Sequence, residues 1–140
     1  MRVIPIYPNW KKPRLFSAYH LCIRLYNIDY GRFSNSKVHD SVETNFQKVT
    51  ALKKPVFHKS VRSFNHLIIK ENNYIKMQAS TLEKSNKFIL CFRLLFEFPL
   101  AFIKYYIIRR HFTGYLTGFF TALILAYFRL KRIMLFLKAK

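Results

Sequence analysis

Residues 88–140 contain one acidic side chain, Glu97, among long apolar and aromatic runs edged by lysine and arginine. An ordinary globular surface intersperses carboxylates with its cations, so this stretch needs a different neighbour from water alone. The whole chain has a formal charge of +19, from 25 Lys and Arg against 6 Asp and Glu. A surplus of that size calls for a polyanionic partner, either nucleic acid or an anionic membrane surface. The layout favours the membrane. Basic residues flank apolar runs, at 104–110 before one run and at 129–140 after it. Such residues lay their stems along hydrocarbon and hold their charged heads among lipid headgroups. Aromatic residues, 18% of the chain, suit the same interface. Nucleic-acid modules add a recognisable readout motif, and none stands out here.

At 140 residues the chain is one domain at most, and its 51% hydrophobic content is enough for a core. Residues 1–13, rich in proline and aromatics, read as extended or looped, and Pro5, Pro8 and Pro13 interrupt any signal-peptide core. Residues 21–26 alternate as a strand, with Leu21, Ile23 and Leu25 on one side. Residues 27–35 have turn chemistry, 38–42 begin a helix or a strand, and 49–61 read as a strand pair or a bent strand broken at Lys53-Lys54-Pro55. Ser63 is a suitable N-cap for a helix through about Ser80. A second helix is expected from Ser85 or Asn86 to Phe98, ended or kinked by Pro99. Helix then resumes over 100–111, and a last helix spans 116–139. Cys22 and Cys91 form no C-x-x-C pair and are expected to be buried, reduced thiols on the cytosolic side.

The uncharged run 112–128 has 17 residues, against the roughly 20 that span a hydrocarbon core. Basic residues at both ends leave it unoriented. A shallow in-plane seat with Pro99 as an elbow fits better than a single pass, and both keep the chain at a membrane.

Three ordered blocks carry a resemblance. The first is Ile23-Arg24-Leu25-Tyr26-Asn27, through Arg32-Phe33-Ser34, to Val38-His39-Asp40-Ser41-Val42. The second is Pro55-Val56-Phe57-His58-Lys59-Ser60-Val61-Arg62-Ser63. The third runs from Pro99 through Phe102, Lys104, Tyr105, Arg109 and Arg110 to Gly114, Gly118 and Tyr127. Together they resemble the carboxyl-terminal part of bacterial family 2 glycosyltransferases of the lipopolysaccharide-core type, in the patterns R-L-F-R…R-F…V-H-E, L-H-x-S-[YF]-R-S and P-x-x-x-F-x-K-x-Y…R-R-G-F-x-D-G…G. Two departures stand out. V-H-E reads Val38-His39-Asp40 here, and R-R-G reads Arg109-Arg110-His111.

The resemblance implies an α+β remnant of a GT-A (α/β) fold. Residues 1–62 would be the acceptor-side part of the catalytic domain, with a few strands, and 63–140 a mainly helical, membrane-associated tail. It also implies an inverting transfer from a nucleotide-sugar to a lipid-linked saccharide in lipopolysaccharide or surface-glycan synthesis, on the cytoplasmic face of an inner membrane. Such chemistry needs a base at the acceptor hydroxyl and positive charge on the departing diphosphate. Asp40 would be the base, with His39 orienting it or touching donor or acceptor. Without the family, Asp40 reads as a helix cap beside a surface histidine. His58, Arg62, Arg24 and Arg32 would meet the diphosphate or metal, against a bland reading as a strand-end histidine and solvated arginines. Lys104, Arg109, Arg110, Arg129, Lys131 and Arg132 would contact lipid headgroups, while His20, His66 and His111 receive no role.

The family's divalent metal (Mg or Mn) and nucleotide are held by a D-x-D motif, which this sequence lacks: its aspartates are Asp29 and Asp40. The chain alone is therefore expected to bind no metal and transfer no sugar. It is expected to be a truncated frame, or one part of a split enzyme partnered by a separate amino-terminal half. The alternatives are a small basic membrane protein without enzymatic activity and a nucleic-acid binder.

Overall fold

The computed structural model describes residues 1–23, 25–29, 31–33, 42–43, 49–79 and 87–138. The architecture is α+β: short strands come first and three helices follow. Strand β1 (Arg2–Pro5) is the middle of a three-stranded sheet. It pairs antiparallel with β2 (His20–Leu21) and parallel with β5 (Val56–His58). β3 (Arg32–Phe33) and β4 (Val42–Glu43) make a separate antiparallel ribbon, with Arg32 opposite Glu43.

The strands are shorter than the apolar alternation predicts. β1 offers Arg2 and Val3 to β2, and a further pair of backbone bonds joins Met1 to Cys22 at 2.8 and 3.0 Å; beyond it Leu25 is left 86% exposed. Likewise only Val56–His58 of residues 49–61 finds a partner among the described residues, because β1 meets them at Val3, Ile4 and Pro5.

Helix α1 (Phe64–Ala79) begins where its cap dictates: the His66 amide donates to Ser63 Oγ at 3.1 Å. Helix α2 (Lys87–Ile103) contains Pro99 without ending there. Of the end or kink expected at Pro99, the end does not occur. The helix runs on to Ile103, passes into a single π-helical turn at Lys104–Ile108, and closes with the Arg109 amide on the Lys104 carbonyl at 2.9 Å. Arg110 then takes the left-handed conformation (φ 57°), and a 3₁₀ turn at His111–Gly114 leads into α3 (Tyr115–Lys138). The left-handed residue is Arg110, so a histidine is tolerated at 111, where the resembling family has glycine.

Helix α3 organises the tail. It runs antiparallel to α2, pairing Phe119 with Phe102 near one end and Arg129 with Glu97 further along. It runs parallel to α1, with contacts advancing from Phe64–Phe120 to Asn72–Lys131 and Gln78–Arg132. Small residues make the close approach possible: Ala101, Ala122 and Ala126 are buried, with Ile133 and Phe128 filling the far end.

Helix α2 shows an inversion of the usual soluble pattern. Its buried side carries Leu90, Glu97 and Ala101, and Glu97 is held by Arg93 at 3.1 Å and Arg129 at 2.8 Å. Burial opposes the Glu97 charge, but the hydrogen bonds and charges of these two arginines outweigh it and hold the carboxyl below its usual range. The opposite side, spaced i, i+4, i+7, i+8, i+12, i+15, exposes Phe88, Phe92, Leu95, Phe96, Leu100 and Ile103. No helix among the described residues is long and apolar enough to cross a membrane, including the one containing most of 112–128. The cysteines depart from expectation too. Cys22 is half-buried and Cys91 exposed, the latter turned off the α3-facing side by its step from buried Leu90.

Two glycines fix how closely α3 can start. A Cβ at Gly118 would strike the His111 backbone carbonyl, and one at Gly114 would overlap the Tyr7 ring. Neither has a positive φ, so space and not backbone freedom selects glycine. Gly118→Ala is expected to lower stability by about 1–3 kcal/mol. A urea midpoint equal to wild type would show that this close approach is not made.

Candidate functional site

The sheet and the helical tail meet at a buried polar junction. Residues 6–15 fold over the turn between α2 and α3, and three side chains lock them together. Arg14 Nη1 donates to the Tyr7 hydroxyl at 3.1 Å, Tyr7 Oη lies 2.6 Å from His111 Nδ1, and Arg14 Nη2 donates to the Arg109 carbonyl at 2.6 Å. Thr113 Oγ1 adds a bond to the Leu15 carbonyl at 2.8 Å. Burial, reinforced by the positive charges of Arg14 and Arg109, pushes His111 down from 6.5 to about 3. The imidazole is therefore neutral at ordinary pH. Tyr7 accepts from Arg14 and shares a second hydrogen bond with Nδ1, whose direction follows the histidine tautomer. Burial also raises the Tyr7 pKa, with Arg14 offsetting part of the effect.

Beside this junction lies a cavity of about 260 Å³. The folded-over segment forms one wall, Ser60 and Val61 another, and the faces of α1 and α3 the rest. The ionisable side chains lining it are Arg14, His20, Lys70, Glu71, Arg109 and His111, with the tyrosines Tyr7 and Tyr19. Glu71 sits on the same side of α1 as the buried Leu67 and Ile75. Its burial pushes its carboxyl above the usual range, against the pull of Lys70 and Arg132. A second cavity of about 260 Å³ adjoins, sharing Glu71 and Leu125 and bounded by Tyr105, Arg129 and Arg132.

The residues singled out in sequence fall in different places. Asp40, His39 and Arg24 lie outside the described residues. His58, at the end of β5, is exposed; its carbonyl takes the Ile6 amide at 3.0 Å. Arg62 is exposed, with its amide donating to His66 Nδ1 at 3.3 Å. Arg32 is exposed on β3. Neither His58 nor Arg62 lines the cavity, although Ser60 and Val61 between them do. Of the basic tail residues, Lys104, Arg109 and Arg110 are exposed, and Arg110 stacks over Phe16 at 5.7 Å. The three on α3 turn to neighbouring helices: Arg129 to Glu97, Lys131 to Asn72 at 2.7 Å and Arg132 to Gln78 at 3.2 Å.

Sequence reasoning passed over Tyr7, Arg14, Glu71 and His111. Glu71 was visible as an acid at apolar spacing between Leu67 and Ile75; the other three carry no local signal. Among the described residues no three His, Cys, Asp or Glu side chains converge as a metal site would require, so these residues provide no donor set for the divalent ion the resemblance implies.

The junction carries a pH signature. His111 binds a proton far less readily folded than unfolded, so its contribution is complete above about pH 6.5 and is lost as pH falls towards 3. Glu71, raised in the folded state, titrates with the opposite sign. The difference between wild type and His111→Gln isolates the histidine. Wild type is expected to lose stability more steeply than the variant on acidification from pH 6.5 to 4.5, by about 1 kcal/mol or more per pH unit. Parallel profiles in chemical denaturation would exclude a neutral, buried His111.

No family model matches the chain, and no solved structure does. Curated proteins do. The chain is 34% identical over 95% of its length to an uncharacterized glycosyltransferase of Rickettsia conorii, and equally to one of Rickettsia felis, in each case spanning 50% of the relative. It is 34% identical to another of Rickettsia prowazekii, over 48% of that protein. The chain thus spans about half the length of the curated relatives it matches, and what it is similar to, along nearly all of its own length, is glycosyltransferase sequence.

Proposed function

We propose that the chain is the acceptor-side, membrane-seating half of a family 2 glycosyltransferase of GT-A type. The whole enzyme would transfer a sugar from a nucleotide donor to a lipid-linked saccharide at the cytoplasmic face of a bacterial inner membrane, in lipopolysaccharide or other surface-glycan synthesis. The observation that carries this reading is the similarity along 95% of the chain to half of each named glycosyltransferase. In support, the V-H-D block supplies a carboxylate of the kind an inverting transfer needs at its acceptor hydroxyl, at Asp40. Arg62, Arg24 and Arg32 supply cations, and His58 an imidazole, for the departing diphosphate or metal. Nucleotide and metal would be held by a second half bearing the acidic donor motif.

The exposed stripe on α2 supports the seating. Six large apolar side chains face outward, and the exposed cations Lys104, Arg109 and Arg110 follow at its end. This is the layout of a helix lying in the plane of an anionic surface, with its apolar side down. Arg129, Lys131 and Arg132 serve the helix packing instead, so the headgroup contacts fall to the three exposed residues.

Two measurements test the proposal. The purified chain alone is expected to give no nucleotide-sugar turnover. A separately expressed donor half is expected to restore it, and Asp40→Asn to cut the restored rate about 10²–10⁴-fold. Turnover by the isolated chain, or an Asp40→Asn mixture at full rate, would refute it. Sedimentation with phosphatidylglycerol vesicles is expected to fall at least several-fold in Phe92→Glu/Leu95→Glu, whose positions are already exposed; unchanged sedimentation of this variant would remove α2 from the interface.

A further inference from the structure

We propose that the cavity at the Arg14 junction is a binding site for a phosphate or diphosphate group. Arg14 is only 6% exposed, yet both of its bonded partners, the Tyr7 hydroxyl and the Arg109 carbonyl, are uncharged oxygens. Its Nε is buried with no partner. Among the described residues no carboxylate makes an ion pair with it; the ion pairs found there are those of Glu97. The guanidinium also lies 5.1 Å over the Tyr7 ring, a partial compensation. But no full negative charge meets it among the described residues, and a buried cation without a counter-ion is costly unless an anion comes to it.

The walls extend the same sign. Lys70 and Arg109 line the cavity with Arg14, and His20 can add a donor. The one acid among the lining residues is Glu71, whose carboxyl burial pushes above its usual range against the pull of Lys70 and Arg132. Water could occupy about 260 Å³ and satisfy an N–H, but it brings no charge. Residues 6–15, α1 and the turn before α3 each contribute a basic residue to the lining of this one cavity, and several donors around one space suit an oxyanion with several acceptor oxygens. Pro5, Ile6 and Leu67 give the organic remainder of such a ligand an apolar wall. Either a nucleoside diphosphate or a phospholipid headgroup supplies this chemistry. The site stands independently of the glycosyltransferase reading, because binding needs no turnover.

The test titrates the purified chain with pyrophosphate at constant ionic strength, following heat of binding and melting temperature. Saturable one-to-one binding with a raised melting temperature is expected. Lys70→Gln, a half-buried wall residue whose loss leaves the junction intact, is expected to weaken it about tenfold. Lys53→Gln, on an exposed loop, is expected to leave it unchanged. Arg14→Met is expected to abolish binding and, by breaking the junction, to lower stability, so the deciding comparison is Lys70→Gln against Lys53→Gln. Uridine diphosphate and dihexanoyl phosphatidic acid separate the sources: preference for the first indicates a nucleotide, for the second a lipid headgroup. Non-saturating association, or equal losses in Lys70→Gln and Lys53→Gln, would reduce the effect to diffuse surface charge and overturn the proposal.

Discussion

The bond from Tyr7 to His111, with Arg14 behind it, joins the two parts of the molecule. Sheet and helical tail share no strand, and the helices pack chiefly on α3. What sets their relative position is a short relay of polar groups, desolvated together. Such networks are stabilising when every member is satisfied and costly when one is not. Here the histidine is neutral, it shares a hydrogen bond with the tyrosine, and the arginine Nε is buried without a partner. Gly114 and Gly118 belong to the same arrangement, because without their bareness the first turn of α3 could not come against Tyr7 and the His111 backbone.

The helical half was legible because its signals are local. A serine cap, apolar spacing at 67 and 75, and a long aliphatic run place α1 and α3 to within a residue or two. Pro99, read as an end or a kink before resumed helix, does not end α2, which packs on α3 and passes from α- to π-helical geometry at Lys104–Ile108. Strands were harder. Alternation at Leu21, Ile23 and Leu25 describes a strand's preference, but pairing requires a partner of matching length, and β1 offers little.

The candidate site divides the same way. Motif blocks identified residues by resemblance, and of these His58, Arg62 and Arg32 are exposed on separate elements. The cavity is built instead from Tyr7, Arg14, Lys70, Glu71 and His111, which lie far apart in sequence. Tyr7 and Arg14 occupy a proline-rich segment with no periodicity to betray burial, and a single histidine after two arginines reads as one more surface cation. Only Glu71 stood at a position where an acid contradicts its neighbours. The comparisons add the glycosyltransferase likeness that none of these residues could supply singly.

The junction also sets an order of events. Tyr7 and His111 are separated by 104 positions, and Arg14 and Arg109 by 95. A chain emerging from the ribosome therefore makes β1 early but cannot fasten the segment that follows it until the turn before α3 has been synthesised. Loop closure on that scale is entropically slow, and contacts so distant in sequence form late. The outward phenylalanines of α2 take no part in that closure, so this face is in the open whether or not residues 6–15 have docked.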